Sequence, residues 1–207
     1  MASEKNWSEL AKNFDELQDF VVGSATKNIV DNKLSELANL GKTIEFGCGN
    51  GRNTAILASR CTSLIASDIS EDMIAVAKQK HPNLENVTFC TEDCYQTKYQ
   101  ADSFDTVFMG NLIHVVLEPA RALAEAKRVL KPGGKIILLS YTGDQMTPED
   151  LQKMFERYIS KFGAPPENSK MMLLADLEKL VQNAQFKICE SQLIGADTKA
   201  MFVIAEK

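Results

Sequence analysis

Three carboxylates and a glycine turn hold the chemistry legible in this chain. Glu45 opens the run Glu45-Phe46-Gly47-Cys48-Gly49-Asn50-Gly51, Asp68 comes 17 residues after Gly51, and Asp93 sits in Glu92-Asp93-Cys94. Glycines at such a turn allow positive φ and let a ligand lie close to the backbone. A carboxylate placed like Asp68 can accept hydrogen bonds from both hydroxyls of a ribose, and an acidic side chain at Asp93 can accept from an adenine amine. The set suits a ligand with a cationic part, a ribose and a base, and without phosphate. A pyrophosphate would sit poorly beside Glu45, and the dinucleotide fingerprint wants Gly or Ala where Arg52 stands. NAD is therefore disfavoured. Strand ends face water and are often acidic, so the combination carries the argument and no single carboxylate does.

To bring these residues to one edge, strands and helices must alternate. Apolar residues recur at helical spacing through Trp7, Leu10, Phe14, Leu17 and Val21, and again from Ala25 to Leu40, with Gly41 as a helix stop. Thr43–Phe46 reads as a strand, Arg52–Cys61 as a helix, and Ser63–Ser67 as a strand ending at Asp68. Ser70 can cap a helix over Glu71–Lys80, whose acidic first turn favours the helix dipole. Strands follow at Val87–Thr91 and Phe104–Met109, then a helix from Pro119 to Leu130. Lys131-Pro132-Gly133-Gly134 is a stop and turn before a strand over Lys135–Ser140. Helices near Glu149–Lys161 and Leu173–Gln182 precede strands near Phe186–Leu193 and Ala200–Ala205, with Asp197-Thr198 suited to a hairpin between them. The pattern predicts an α/β fold: an open, doubly wound parallel sheet with helices on both faces and an antiparallel strand at or near one edge. It leaves the strand order open.

Composition narrows the function classes. The 207 residues carry 23 Lys plus Arg against 28 Asp plus Glu, a formal charge of −5, which argues against a nucleic-acid backbone binder. The weakly polar run Thr106–Leu117 contains Asn111 and His114 and is too short to span a membrane. The first residues show no signal-peptide pattern, and five cysteines without dense spacing suggest thiols in a reducing compartment. The expectation is a soluble cytoplasmic protein of undetermined oligomeric state.

Five segments together resemble a known motif series: Glu45–Gly51, Asp68, Glu92-Asp93-Cys94, Phe104–His114 and Arg128–Gly134. In order and spacing they resemble class I S-adenosylmethionine-dependent methyltransferases, above all the small-molecule group that includes the ubiquinone and menaquinone biosynthesis methyltransferases. The resemblance runs from about Lys42 to Ser140. It implies a Rossmann-like sheet of seven strands, mostly parallel with the last antiparallel, and a helical cap at the amino end. It implies one domain over residues 1–207, with a cap at 1–40, a cofactor core at 42–140 and substrate-side helices and closing strands at 141–207. S-adenosylmethionine would be the methyl donor and S-adenosylhomocysteine the product. By position, Glu45 would govern the methionine end of the cofactor, and Gly47, Cys48 and Gly49 would lie against it. Asp68 would hold the ribose, Ile69 would pack on the adenine, and Asp93 would accept from its amine beside the Cys94 amide. Related chains often have Ala where Cys94 stands and a Leu-Pro-Phe segment where this one has Tyr95-Gln96-Thr97-Lys98-Tyr99.

Methyl transfer from a sulfonium is an in-line displacement on an activated electrophile, so positioning and exclusion of water matter most. A base is needed only if the acceptor must lose a proton. The chain has two histidines: His81, beside Pro82, reads as a solvated surface residue. His114, after the fourth strand, is a candidate base, with helix capping or packing as the alternative. Asn111 could contact donor or acceptor. Tyr141 and Thr142 leave the fifth strand at the same edge, and Trp7 and Phe14 could line the inside of a lid, though core packing explains their spacing equally. Met146, Met171 and Met172 could line an apolar pocket or fill the core. Cys90 and Cys94, with Cys48 on the turn, lack metal-ligand spacing, and the strand period places Cys90 in the sheet core. No metal site is expected, and Lys78 with Lys80 reads as a solvated helix end. The favoured reading is a methyltransferase for a small-molecule acceptor, with no nucleic-acid or membrane partner. The alternatives are a catalytically silent adenosylmethionine-binding subunit and an NAD-linked oxidoreductase. Oxygen, nitrogen, sulfur and carbon acceptors all remain open.

Overall fold

The computed structural model describes residues 13–164 and 171–207. Its strands are β1 (Lys42–Phe46), β2 (Ser63–Asp68), β3 (Val87–Thr91), β4 (Phe104–Gly110), β5 (Leu130–Thr142), β6 (Lys187–Ile194) and β7 (Lys199–Glu206). They form one sheet in the order β3-β2-β1-β4-β5-β7-β6. The first five run parallel; β7 lies antiparallel between β5 and β6. The order reverses between β1 and β4, and in a doubly wound sheet that reversal opens a crevice at the carboxyl ends of the strands.

The helices are α1 (Phe14–Val22), α2 (Ser24–Ser35), α3 (Arg52–Leu57), α4 (Glu71–Lys80), α5 (Pro119–Val129), α6 (Pro148–Phe162) and α7 (Leu174–Asn183). On one face, Phe46, Met109 and Leu138 of the sheet pack against Leu123 of α5 and Leu177 of α7. On the other, Phe108, Leu139 and Phe202 meet Val30 and Leu34 of α2 and Leu57 of α3. Alternation along β4 and β5 thus sends successive side chains to opposite helix layers, as a strand period of two requires. Ser70 caps α4, its hydroxyl accepting from Met73 N at 3.3 Å. Among the described residues no helix is long and apolar enough to cross a membrane.

Several boundaries differ from the sequence expectation. Gly23, at φ 79°, separates α1 from α2, and α2 stops at Ser35, well before Leu40. Leu40 is drawn into the sheet instead: its N–H donates to Arg60 O, and its carbonyl accepts from the Thr43 and Thr106 hydroxyls. Those tertiary bonds outweigh the helical period. The helix at Arg52 ends at Leu57 and tightens into a 3-10 turn over Ala58–Arg60. The expected turn at Lys131–Gly134 lies within β5, because Leu130 already pairs with Phe104 before the register shifts.

Thr26 fixes α2 to the far end of the sheet. Its buried hydroxyl donates to Thr198 O at 2.8 Å and accepts from Ala196 N at 3.0 Å, both in the β6–β7 turn. Thr26→Val keeps the shape and strands both backbone groups. Urea unfolding should show a loss of about 1–3 kcal/mol; an unchanged midpoint would mean the turn finds other partners.

Candidate active site

Glu45 is the most constrained side chain at the carboxyl edge of the sheet. It is the penultimate residue of β1, between β2 and β4, with none of its surface exposed. Thr54, on α3, donates its hydroxyl to Oε2 at 2.6 Å, while Oε1 is buried with no partner among the described residues. Burial raises the Glu45 pKa to about 7; the Thr54 hydrogen bond opposes the rise and the Asp68 charge adds to it. A buried carboxylate with one unsatisfied oxygen is costly, and a cation brought against it would remove that cost.

The glycine turn is folded around Asp68. Its Oδ2 accepts from Gly49 N and its Oδ1 from Ser70 N, each at 2.9 Å. Desolvation raises the Asp68 pKa, against the pull of those amide bonds. Each carboxylate oxygen keeps a lone pair for a further donor. Gly49 has φ 53° and nothing within 4 Å of the place where a Cβ would stand, which leaves open space over the turn. The spaces beside the other two glycines are filled: Leu112 occupies the one at Gly47 and His81 the one at Gly51. Ile69 is 52% exposed, a large apolar side chain left in water beside Asp68. Asp93 is exposed, and its Oδ1 accepts from Tyr95 N at 2.8 Å. Cys94 is half-buried, and desolvation pushes its thiol up to about 12. Cys48 is buried and its thiol is raised in the same way, so neither is a ready thiolate.

β4 and β5 complete the edge. Asn111 turns the chain at φ 56°, its N–H donating to Leu139 O at 2.7 Å and its Oδ1 accepting from Tyr141 N at 3.1 Å. Gly110 leaves no room for a Cβ because the Asn53 amide presses on it. His114 bonds through Nδ1 to the buried Ser140 hydroxyl, while the residue as a whole stays exposed. Desolvation moves its pKa down, to about 4. The imidazole is therefore neutral at pH 7.

Tyr141 points to the opposite face. Burial pushes its phenol up to about 12, with Arg52 pulling the other way. Arg52 pairs with Asp19 of α1, and its Nη2 lies 3.8 Å from Asp31 of α2. The residue that spoils the dinucleotide fingerprint therefore ties both amino-terminal helices to the start of α3.

Other candidates fall outside this group. Trp7 lies outside the described residues, and Phe14 is half-buried at the start of α1. Met171 accepts from Gly143 N through Sδ, Thr142 donates to Met172 O, and Met172 packs on the core. His81 is not the solvated residue the sequence suggests: it is half-buried, stacked on Phe89, and its Nε2 is enclosed without a partner. Lys78 and Lys80 are both exposed, as expected of a solvated helix end, and Lys80 also pairs with Asp15 of α1. Cys90 is only half-buried, its Sγ 3.6 Å from the Tyr99 hydroxyl, since β3 is an edge strand and does not enclose it. A cavity of about 460 Å³ between α1, α6 and the β6–β7 turn, lined by Phe20, Arg157 and Asp197, includes none of the three carboxylates.

The sequence reading missed Thr54, Asn53 and Ser140. Gly110 before Asn111 was the available signal for Asn53. Nothing in spacing marks Thr54 or Ser140, whose partners lie nine and 26 residues away.

Residues 44–138 match the methyltransferase domain family, and they span the glycine turn, Asp68, Asp93 and His114. Those residues are similar to a methyltransferase domain. A demethylmenaquinone methyltransferase from Clavibacter sepedonicus is 32% identical over 101 residues, 49% of this chain and 41% of that protein. The chain spans about half the length of the curated relatives it matches. A SAM-dependent methyltransferase from Aquifex aeolicus superposes with a TM-score of 0.71 at 18% identity, over 96% of this chain and 97% of that one. The (4+2)-cyclase SpnF superposes at 0.68 with 17% identity, over 86% of this chain and 80% of that one. At these identities both structures support the fold alone; the predicted antiparallel last strand is β7 of this sheet.

Glu45 gives the folded chain a measurable pH signature. The folded chain holds a proton on Glu45 up to about pH 7, whereas the unfolded one loses it near 4.5. The folded state binds more protons in that window, so stability falls as pH rises through it, and the whole penalty applies above it. Glu45→Gln should raise the melting temperature at pH 8 and change it little at pH 4.5; an equal effect at both would contradict the buried ionisation.

Proposed function

We propose that the chain is an S-adenosylmethionine-dependent methyltransferase acting on a small-molecule acceptor. The observation that carries this reading is the enclosed Glu45 carboxylate, one oxygen unpartnered, under a glycine turn that opens at Gly49. A cationic ligand fits that place and a pyrophosphate does not. Bound adenosylmethionine supplies an activated methyl group on a sulfonium.

The chain's own residues hold and orient. Glu45 would take the cationic methionine end, Asp68 the ribose hydroxyls, Ile69 a face of the adenine, and Asp93 with the Cys94 amide its edge. The helices joined to α3 through Arg52 would serve as the cap that excludes water. Asn111 fixes the ends of β4 and β5, where the acceptor would lie in line with the donor. A net charge of −5 favours a small acceptor over a nucleic acid, and five free thiols favour the cytoplasm. The demethylmenaquinone substrates named for relatives make quinone-like rings a sensible start for an acceptor panel.

Asp68→Ala removes acceptors for the ribose, at about 1.5–3 kcal/mol for a hydrogen bond to a charged group. Calorimetric titration should show adenosylmethionine affinity falling more than tenfold in a variant that still melts cooperatively. Unchanged affinity would contradict the cofactor edge. Formation of adenosylhomocysteine by the wild-type chain with one of the panel acceptors separates an enzyme from a silent binding subunit.

A further inference from the structure

We infer that His114 is a fixed, neutral hydrogen-bond donor, its Nε2–H directed at an oxygen atom of the methyl acceptor, and that Ser140 sets this tautomer. Ser140 has no exposed surface, and the one partner of its hydroxyl among the described residues is His114 Nδ1. Were Nδ1 protonated, Ser140 would have to accept, and its own hydrogen would be buried without an acceptor. The favourable arrangement has the Ser140 O–H donating into Nδ1. A neutral ring then carries its hydrogen on Nε2. The imidazolium form would strand the same hydroxyl hydrogen, so the charged ring is disfavoured by geometry as well as by desolvation.

His114 as a residue is exposed, and Nδ1 is the ring nitrogen that has a partner among the described residues, which leaves Nε2 for a ligand. It stands at the ends of β4 and β5, beside the crevice where the strand order reverses. Val115 and Leu117, 39% and 62% exposed, form an apolar rim in the same turn. Glu118 and Arg121, which follow in the chain, are paired with each other. An N–H donor in an apolar rim selects a carbonyl, hydroxyl or carboxylate oxygen on an otherwise apolar molecule. A protonated amine has no lone pair to offer and is rejected. An Nε2–H cannot withdraw a proton, so His114 binds and orients rather than acting as the general base that its type alone suggests.

The word acceptor rests on the methyltransferase reading; the tautomer does not, and the test keeps the two apart. With two histidines in the chain, two-bond proton–nitrogen correlation on ¹⁵N-labelled protein at pH 7 resolves both rings, and His81→Gln assigns them. His114 should show an unprotonated Nδ1 and a protonated Nε2; the reverse pattern, or an averaged charged one, overturns the inference. Ser140→Ala should populate both tautomers in a folded protein, and an unchanged pattern removes Ser140 from the positioning role. With adenosylhomocysteine present, 2-naphthol at millimolar concentration should shift the His114 Nε2 resonance, and naphthalene should not. Naphthol affinity should fall at least tenfold in His114→Ala and recover to within about threefold in His114→Gln, which restores an N–H donor. No naphthol effect, or an equal effect of naphthalene, overturns the oxygen-binding role. Adenosylmethionine titration on the same sample reports separately on the function.

Discussion

The structure turns on a carboxylate buried where water cannot reach it. Glu45 lies near the end of an interior strand of a sheet covered on both faces, and the described residues supply one hydroxyl for its two oxygens. Such a group is tolerated only if the surrounding fold holds it rigidly and something else meets its charge. The rigid part is visible in the neighbours. Thr54 must begin α3 close to β1, so the turn between them has to be tight, and Gly51 takes it with a left-handed φ of 85°. Ser67 donates to the Glu45 carbonyl at 2.7 Å, which locks β2 beside it. Asp68 then bonds the Gly49 amide and gives the turn its shape.

Beyond that centre, the two sheet faces contribute different chemistry. Successive residues at the end of β5 point opposite ways: Ser140 meets His114 on one face, and Tyr141 meets the Arg52, Asp19 and Asp31 group on the other. The first is a neutral pair with an open nitrogen. The second is a half-buried ion group joining α1 and α2 to α3. Because Arg52 follows Gly51 directly, the position of the amino-terminal helices and the shape of the glycine turn are mechanically linked.

Much of this was legible from residue types. Short apolar strands alternating with periodic helices gave the sheet class, and the Ser70 cap was read at the right residue because capping is local. The placement of Glu45, Asp68, Asn111 and His114 at one edge follows from strand ends alone. What the sequence hid depends on contacts made across the fold. Helical period could not show that Leu40 is claimed by Arg60, Thr43 and Thr106. The position of His81 beside a proline gave no sign that Gly51 would leave room for its ring. The Thr54 and Ser140 hydroxyls look like ordinary polar residues until their partners come within reach. Strand order needed the register itself, since parallel pairs leave no mark in a single strand.

The central claim is that Glu45 is held for the cationic end of the cofactor. Comparing the binding of adenosylhomocysteine with that of methylthioadenosine, which lacks the amino-acid end, tests it most directly when run on the wild-type chain and on Glu45→Gln. The account predicts that adenosylhomocysteine binds the wild-type chain much more tightly, and that most of this advantage disappears in the variant, while methylthioadenosine binds both alike. An advantage of the same size in both proteins would contradict it.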